Sequence, residues 1–506
     1  MNSKKEIITL ITPPSPFLLD ERVFMHLGIL KVASSLEQKG HKVEFLDLSG
    51  IDNFLDALVD YLKITKSKTF GITASTPQVP FAVKIAKKIK SETKDTKIIL
   101  GGPHVTLMNT ASKREIKKGI LKSDRATKDI TMLSNIFDVL VCGDGELSIF
   151  HALSIDKGII DADDRKSPYF LSNQDFSTLP IPARHLVDID SYKYTIEGKK
   201  STSLIAQLGC PFKCSFCSGR NSPFLRKIRQ RSSESIIEEM RHLYYAYGYT
   251  GFMFYDDELN VNKGLIELLN KITDLQMDLG EEFRLRGFVK AELFKEEQAA
   301  AMYRAGFRWL LTGFESGDER ILRNIKKMAK RDDNTRAVEI AKRNGLKVKA
   351  LMSIGHAGET IDSIENTKNW LLETQPEEFD CTIITTYPGS PYFDDAIKQK
   401  DGTYVYTSDV SGDRLYQSPI DYLTELDYYK GDPKGGYVSY VWTDYLSSKD
   451  IVLARNNLES EVRSKLGIKF NSARPGIKYE HSMGMGNINF PKFILKNSNE
   501  NNSNNP

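Results

Sequence analysis

The sequence predicts an α/β protein that has two successive α/β units and a small C-terminal extension. Short β-branched runs alternate with amphipathic helical stretches over residues 6–151, and a second series of six strand–helix units begins near residue 201. Such alternation is typical of parallel sheets. The first unit therefore reads as a doubly wound parallel sheet of Rossmann type, and the second as a partial (β/α)6 barrel. A chain of 506 residues is also too long for one ordinary core.

Composition excludes several broad classes of protein. Hydrophobic residues make up 40% of the chain, Lys and Arg number 70 against 67 Asp and Glu, and the mean hydropathy is −0.37. No apolar run approaches the roughly 20 residues of a membrane span, and the first residues lack the apolar core of a signal peptide. We therefore expect a cytoplasmic protein with no transmembrane segment and no nucleic-acid partner.

The N-terminal unit, residues 1–154, is predicted to hold five strands. These are residues 7–11, 43–46, 69–72, 97–100 and 139–141, with helical patterns at 27–37 and 81–89. Turns rich in Gly, Pro, Ser or Thr follow all but the second strand, at the carboxyl edge where open α/β folds bind ligands. Residues 109–128 are rich in Lys and weakly patterned, which predicts a surface excursion.

A linker is predicted at residues 155–200, and the barrel at residues 201–400. The barrel strands are expected at 204–208, 251–255, 284–289, 309–311, 347–354 and 382–385, and the helices at 233–247, 263–277, 295–305, 334–343 and 360–373. Six units make an open barrel, short of the usual eight. The extension, residues 401–495, has one clear helical stretch at 449–466, and the Asn/Ser tail 496–506 is expected to be disordered.

Three of the five cysteines lie together after the first predicted barrel strand. Cys210, Cys214 and Cys217 form CxxxCxxC. Three thiolates on one short loop can bind one face of a cubic iron–sulfur cluster and leave the fourth iron open. Structural zinc prefers four ligands, and the nearest histidines are distant in sequence. A redox CxxC pair would leave Cys210 unexplained. Both alternatives stay open on spacing alone.

The cysteine motif resembles that of the radical S-adenosylmethionine (SAM) superfamily, in which an aromatic residue, here Phe216, precedes the third cysteine. Later turns resemble the branch of that superfamily with an N-terminal cobalamin-binding domain. They are residues 254–260 after the second barrel strand, 313–317 after the fourth, 355–360 after the fifth and 387–391 after the sixth, together with 101–104 and 143–146 in the first unit. The resemblance covers about residues 5–395.

The resemblance implies three cofactors and a reductant. Cys210, Cys214 and Cys217 would hold a 4Fe-4S cluster, whose open iron chelates the amino and carboxylate groups of SAM. One electron from an external donor of ferredoxin or flavodoxin type would then release a 5′-deoxyadenosyl radical, while the protein supplies position and water exclusion. Phe216 would lie near the adenine, Asp256 or Asp257 would bind the amino group, and Arg286 the carboxylate; Glu315 is a further SAM-binding candidate. Packing, helix capping and structural ion pairs are the alternatives for these residues.

The third cofactor is cobalamin, which would lie across the carboxyl edge of the first sheet. Small residues would let the backbone approach the corrinoid: Ser75, Thr76, Gly101, Gly102 and Gly143. Short α/β turns select such residues for backbone reasons as well. The Asp-x-His-x-x-Gly motif that supplies a lower ligand to cobalt is absent, so we expect cobalt without a histidine ligand. A domain that no longer binds the corrinoid is the alternative.

The resemblance implies methyl transfer from methylcobalamin to an unactivated carbon of a small-molecule or lipid substrate. Radical cyclisation or carbon–carbon bond formation with an idle corrinoid domain is the runner-up, and a non-catalytic cluster- or corrinoid-binding protein is a third hypothesis. His356 stands where the family often has a proline, and contact with the SAM site or proton transfer is the alternative to simple packing. The Tyr-rich segment after residue 401 is expected either to close the barrel mouth or to cap the fold.

Overall fold

The computed structural model describes residues 6–15, 18, 21–119, 125–429, 431 and 436–468. The predicted tail 496–506 lies outside the described residues. The predicted division into domains stays a prediction.

The N-terminal unit is built on a six-stranded parallel sheet with the order β2-β1-β3-β4-β5-β6. Its strands are β1 Ile7–Thr12, β2 Lys42–Asp47, β3 Thr69–Thr73, β4 Lys97–Gly101, β5 Val139–Cys142 and β6 Gly158–Asp161. Strand β6 was not predicted and falls in the stretch assigned to the linker. The strand order reverses between β1 and β3, and such a switch point opens a crevice at the carboxyl edge of the sheet.

Helices cover both faces of this sheet, so it is doubly wound as predicted. The helices are α1 Leu27–Gln38, α2 Phe54–Ile64, α3 Val79–Glu92, α4 Pro103–Lys117, α5 Arg125–Ile136 and α6 Gly145–Ser154. One apolar cluster packs α1 and α6 against one face, and another packs α2 to α5 against the other.

The predicted surface excursion at residues 109–128 is wrong where the structure describes it. Helices α4 and α5 occupy the described parts of this stretch and bury Ala111 and Ala126 in the apolar cluster that packs on the sheet. The buried Glu115 carboxylate accepts the amides of Ala126 and Thr127 at 3.0 and 2.8 Å. It thereby caps the first turn of α5, a tertiary contact that a weak local pattern does not reveal.

The second unit is an open half-barrel of six parallel strands, with a short antiparallel strand at one edge, in the order β15-β14-β13-β12-β11-β8-β7. The strands are β7 Thr195–Ile196, β8 Lys199–Leu204, β11 Gly251–Phe254, β12 Arg284–Phe288, β13 Phe307–Glu315, β14 Lys347–Ile354 and β15 Glu378–Ile383. The helices around it are α9 Ser233–Tyr247, α10 Leu265–Leu279, α11 Glu296–Arg304, α12 Glu319–Asn324, α13 Arg331–Arg343 and α14 Ile361–Thr374, and α7 Asn173–Thr178 precedes it.

The first barrel strand lies earlier than predicted. Strand β8 ends at Leu204, and residues 205–208 leave the sheet to form β9 Gln207–Leu208, which pairs antiparallel with β10 Arg229–Gln230. The short helix α8 Pro223–Arg226 lies between the two. The cysteine motif therefore follows the ribbon strand β9. The cause is a pair of side-chain-to-backbone contacts described below, which periodicity cannot anticipate.

The C-terminal extension adds a small sheet and a helix. Helix α15 Pro391–Asp394 leads into an antiparallel sheet with the order β16-β17-β18-β19, and helix α16 Ser448–Leu466 confirms the predicted helical stretch. The sheet strands are β16 Ile397–Lys398, β17 Tyr404–Thr407, β18 Arg414–Gln417 and β19 Val441–Thr443. Arg455 on α16 donates to the Cys381 carbonyl and Glu459 accepts the Cys381 amide, so α16 covers the open edge at β15.

The tyrosines of the extension pack mainly against the first unit. Tyr422 and Tyr428 belong to the apolar cluster that includes α3, α4 and α5, and Tyr429 packs at its border. Since Tyr406 and Tyr437 pack against the barrel, the Tyr-rich segment contacts both units, and its role in closing the barrel mouth or capping the fold stays a prediction. Within the described part of the chain, no helix is both long and apolar enough to cross a membrane.

Candidate functional site

Hydrogen bonds between neighbouring residues and the backbone of the cysteine loop hold the loop in place. Arg226 donates to the carbonyls of Pro211 and Phe212 at 2.5 and 2.6 Å, and the Cys210 amide donates to the Leu225 carbonyl at 2.9 Å. Gly209 begins the loop with φ +93°, and a Cβ there would collide with the Lys227 carbonyl. Only glycine fits this position without strain. Contacts within the protein therefore hold the backbone of the loop.

Cys210, Cys214 and Cys217 are all free thiols on this one loop. Burial raises the pKa of Cys210 to about 12. Burial also raises the pKa of Cys214, and the nearby Lys327 and Lys290 ammonium groups oppose that rise. Three thiols on a short loop are the donor set of a cubic cluster, which takes one thiolate at each of three irons. Among the described residues, no three His, Cys, Asp or Glu side chains converge as a single-ion site.

The predicted acidic pair lies directly behind the loop. Asp256 accepts the Ala206 amide and Asp257 accepts the Gly209 amide, each at 2.7 Å. These bonds pull residues 206–209 out of the barrel sheet and lead the chain into the cysteines. The second carboxylate oxygen of Asp256 has no hydrogen-bond partner, and burial raises the pKa of this group to about 7. One carboxylate oxygen of Asp256 and one of Asp257 thus hold the backbone that leads into the cysteine loop.

Three charged residues that the sequence reasoning missed lie near Cys214. Glu258 follows the acidic pair, Lys290 lies two residues after β12, and Lys327 follows α12. The Glu258 Oε2 atom is buried without a partner, and burial raises the pKa of its carboxyl group to about 7 although both lysines oppose this. Position at the carboxyl ends of neighbouring barrel strands was the signal available for Glu258 and Lys290.

Arg286 lies elsewhere in the barrel. It sits in the middle of β12, and its guanidinium lies 5.8 Å from the centre of the Trp309 ring. Lys290 and Lys327 are the cations that act on Cys214. The predicted contact between Arg286 and SAM stays a prediction.

Glu315 is brought to the cysteine loop in a strained conformation. Its φ is +67°, and its carboxylate accepts bonds from Lys327 Nζ at 3.1 Å and Ser353 Oγ at 2.8 Å. A Cβ at Gly313 would lie 2.5 Å from Glu315 Oε1. Gly317 is needed for a different reason, because a Cβ there would lie 2.6 Å from the Trp370 side chain. The glycines of this turn therefore serve packing on both sides of Glu315.

Phe216 projects from the loop toward the turn after β14. Its ring lies edge-on to the His356 ring, with 5.4 Å between centroids. Apolar residues of α12 and the turn after it complete its surroundings, namely Ile321, Leu322 and Ile325. His356 itself is fully buried.

A cavity of about 450 Å³ lies between the first sheet and the barrel. On the N-terminal side it is lined by the ends of β1 and β3 and the start of α1, including Ser15, Thr73, Ser75 and His26. Ser203, Ile205 and Tyr255 line it from the barrel, and Tyr429 from the extension. It lies at the β1/β3 switch point, where small side chains leave the backbone approachable.

The remaining residues predicted to contact the corrinoid are Thr76, Gly101, Gly102 and Gly143. Thr76 hydrogen-bonds His104 at 3.2 Å, and the His104 Nε2 atom is buried without a partner. A Cβ at Gly102 would lie 2.8 Å from the Ala74 amide, and one at Gly143 would lie 2.5 Å from the Asp163 amide. Gly102 and Gly143 are thus required by backbone packing. Gly101 ends β4 with space beside it.

Buried charges fix the first unit beside the cysteine loop. Asp144 and Arg229 form an ion pair of 2.5 Å in which both side chains are buried. Asp163 accepts Ser222 Oγ and the Phe224 amide, each at 2.8 Å. The turn at residues 143–146 therefore docks the two units together.

Comparisons with known proteins agree with this arrangement. Residues 204–371 match the model of the radical SAM superfamily, and residues 22–121 match the B12 binding domain. An uncharacterised methyltransferase of Pyrococcus horikoshii is 29% identical over 77% of this chain and 83% of its own length. The anaerobic magnesium-protoporphyrin IX monomethyl ester cyclase of Rubrivivax gelatinosus is 23% identical over 69% of this chain, which spans 62% of that protein.

Among solved structures, the radical SAM methyltransferase TsrM from Kitasatospora setae, with cobalamin and a [4Fe-4S] cluster bound, superposes with a TM-score of 0.65. The match covers 90% of this chain and 91% of that one at 17% identity. At this identity the likeness establishes a shared fold.

We predict that Gly209→Ala lowers the iron content of anaerobically reconstituted protein to less than about half of the wild-type value. The added Cβ meets the Lys227 carbonyl and the positive φ is strained, so the Cys210 thiol is displaced. Iron and acid-labile sulfide assays measure this. Gly264→Ala is the matched control, because Gly264 has a negative φ and room for a Cβ. Equal iron in the Gly209→Ala and wild-type proteins would contradict the prediction.

Proposed function

Because the chain belongs to the radical SAM superfamily and carries a B12-binding domain ahead of its radical SAM domain, we propose that it is a cobalamin-dependent methyltransferase. Its acceptor would be an unactivated carbon of a small molecule or lipid. The observation that carries the proposal is the placement of three thiols on one loop of the barrel, in a fold whose two units together line a cavity.

Cys210, Cys214 and Cys217 would hold the cluster. When bound, the cluster and SAM together supply the organic radical, and methylcobalamin supplies the methyl group. The chain's own contribution is rigidity. Arg226 and the Asp256–Asp257 pair hold the loop by its backbone, which restrains the segment that carries the three cysteines.

Glu258, Lys290 and Lys327 suit the charged end of SAM better than the residues chosen from sequence. An α-amino group and an α-carboxylate need opposite charges close together. Glu258 offers a buried, unpartnered carboxylate oxygen, and the two lysines lie within electrostatic range of it. We therefore assign the amino group to Glu258 and the carboxylate to the lysine pair. Phe216 and Glu315 complete this side of the site.

The cavity between the units would hold part of the corrinoid. Ser75 lines it, Thr76 and Gly101 lie next to it, and the unpartnered His104 Nε2 offers a hydrogen bond to a polar group nearby. We propose that cobalt has no histidine below it, because the sequence lacks the ligand motif. His26 is the histidine that lines the cavity, and it is the one to test.

The electron would come from an external donor of ferredoxin or flavodoxin type, in the reducing cytoplasm. Cyclisation is the second candidate function, favoured by the similarity to the Rubrivivax cyclase. The two activities differ in the fate of the SAM methyl group, which makes them separable by mass.

We predict that turnover with deuterated-methyl SAM, reductant and hydroxocobalamin transfers three deuterium atoms to a product formed from an anaerobic extract of the source cells. Tandem mass spectrometry measures the gain against an unlabelled reaction. Formation of 5′-deoxyadenosine with a product lighter by hydrogen atoms and without deuterium would establish cyclisation instead. Neither product nor 5′-deoxyadenosine would contradict both.

The cysteine variants control this experiment. Ala at Cys210, Cys214 or Cys217 should abolish SAM cleavage, since a cluster corner is lost. Cys381→Ala is the matched control, because Cys381 is buried in the barrel core away from the loop. It should keep the iron content of the wild type.

We predict that Glu258→Gln weakens SAM binding about tenfold or more while iron content stays at the wild-type value, because a charge-assisted bond is lost. Equilibrium dialysis with labelled SAM measures this on cluster-loaded protein. Asp257→Ala makes the opposite prediction: lost iron, since the Gly209 amide loses its acceptor. Weaker SAM binding in Asp257→Ala alone, with full iron, would return the amino-group contact to Asp257.

We predict that the electron paramagnetic resonance spectrum of bound cob(II)alamin lacks the triplet splitting that an axial nitrogen ligand causes. The spectrum should be identical in His26→Ala. Triplet splitting that disappears in His26→Ala would identify His26 as a lower ligand and overturn the proposal of a histidine-free cobalt.

A further inference from the structure

A chain of hydrogen bonds lies behind Phe216 and ends beside the cysteine loop. The Tyr392 hydroxyl lies 3.3 Å from His356 Nδ1, and His356 Nε2 lies 2.8 Å from Ser353 Oγ. Ser353 donates to Glu315 Oε2 at 2.8 Å, and Glu315 Oε1 accepts from Lys327 Nζ at 3.1 Å. All five residues are at least mostly enclosed, and His356 and Tyr392 are fully buried.

Donor and acceptor counting fixes the direction of this chain. Ser353 has one hydroxyl proton, which goes to the Glu315 carboxylate, so Ser353 Oγ accepts from His356 Nε2–H. His356 Nδ1 is then the unprotonated nitrogen and accepts the Tyr392 proton. Every donor in the chain points toward Glu315. Burial lowers the pKa of His356, so the imidazole is neutral near pH 7, in one tautomer, with both nitrogens engaged.

Backbone strain is concentrated at the far end of the same chain. Glu315, Lys326 and Met328 have φ of +67°, +55° and +70°, so they adopt left-handed conformations that side chains disfavour. Lys327 lies between the last two. Strain of this kind persists where surrounding contacts enforce it, and it collects at ligand sites. The hydrogen-bond chain is such an enforcing contact.

The chain also touches the cysteine loop from the side of Phe216. The His356 ring contacts the Phe216 ring edge-on, and the Tyr392 amide donates to the Ser215 carbonyl at 3.2 Å. On the other side, the Ser215 amide donates to the Ile325 carbonyl at 2.9 Å. His356 is thus the one member of the chain that meets both the Phe216 ring and, through Ser353, the Glu315 carboxylate.

We propose that His356 is a positioning residue of the SAM site, which sets the Phe216 ring and the Glu315 carboxylate together and exchanges no proton during turnover. This inference rests on the proposed function, because it assigns SAM as the ligand. A proline, which the family often has at this position, has no side-chain donor and cannot join Tyr392 to Ser353. In this protein, the hydrogen bonds of His356 therefore support the side of the site that Phe216 and Glu315 form.

A role in proton transfer is disfavoured by the surroundings of His356. Burial lowers the pKa of His356 to about 4; Glu315 opposes this and Lys327 reinforces it. The titratable groups that face it are Glu315, Lys327 and Tyr392, which are tied into the chain, and Glu359, whose carboxylate accepts the His356 amide at 3.4 Å. Burial raises the pKa of Glu359 to about 7, so a step near pH 7 that persists in the His356 variants belongs to Glu359. We therefore expect no step in SAM affinity or cleavage between pH 6 and 8.5 that disappears in a His356 variant.

The test compares His356→Ala, His356→Gln and His151→Ala in the cluster-loaded, full-length enzyme. His151 is exposed on the first unit, so its variant is the matched control. We expect His356→Ala to keep its iron, to bind SAM about tenfold more weakly, and to lose the wild-type change that SAM causes in the spectrum of the reduced cluster. The Gln amide can donate to Ser353 and accept from Tyr392, so His356→Gln should bind SAM within about threefold of wild type.

The outcomes separate this inference from the proposed function. Wild-type affinity and spectrum in His356→Ala would overturn the inference alone, whereas a wild-type enzyme that neither binds nor cleaves SAM would overturn the proposed function. A His356→Gln enzyme with normal SAM affinity and a rate lowered about a hundredfold would establish proton transfer instead. If His356→Ala does not hold its cluster, Tyr392→Phe and Ser353→Ala decide: weaker SAM binding supports the inference, and unchanged binding in both overturns it.

Discussion

The site depends on the capture of backbone amides by two buried carboxylates. Asp256 and Asp257 accept the amides of Ala206 and Gly209, and these two bonds turn the chain out of the barrel sheet into the cysteine loop. Buried backbone donors must be paired, and a carboxylate pairs them more strongly than a neutral acceptor. With Arg226 holding the carbonyls on the other side, the loop needs no regular secondary structure to be rigid.

A second constraint sets the distance between the two units. The Asp144–Arg229 pair is buried, and a buried charge that loses its partner is strongly destabilising. Asp163 and the tyrosines of the extension add further contacts across the same junction. Because residues of this one chain make all of these contacts, the fold itself forms the cavity between the sheet edge and the barrel.

Local pattern predicted most elements, and two of the misses share one cause. Strand β14 and helix α9 have the predicted bounds, since their periodicity is strong. The first barrel strand was misplaced, and α4 and α5 were read as an excursion, because Asp256, Asp257 and Glu115 act on backbone that is distant in sequence. Lys290 and Lys327 were overlooked for the same reason, since they come near Cys214 only in the folded barrel.

The sequence by itself determined the order of the two α/β units and the placement of three thiols on one loop. These follow from spacing, which is local and survives without coordinates. Only the tertiary structure decided which charged groups face the thiols, that the glycines at 102 and 143 serve backbone packing, and that His356 connects Phe216 to Glu315. Contacts of this kind join residues from different strands, and their geometry is set by the closed fold.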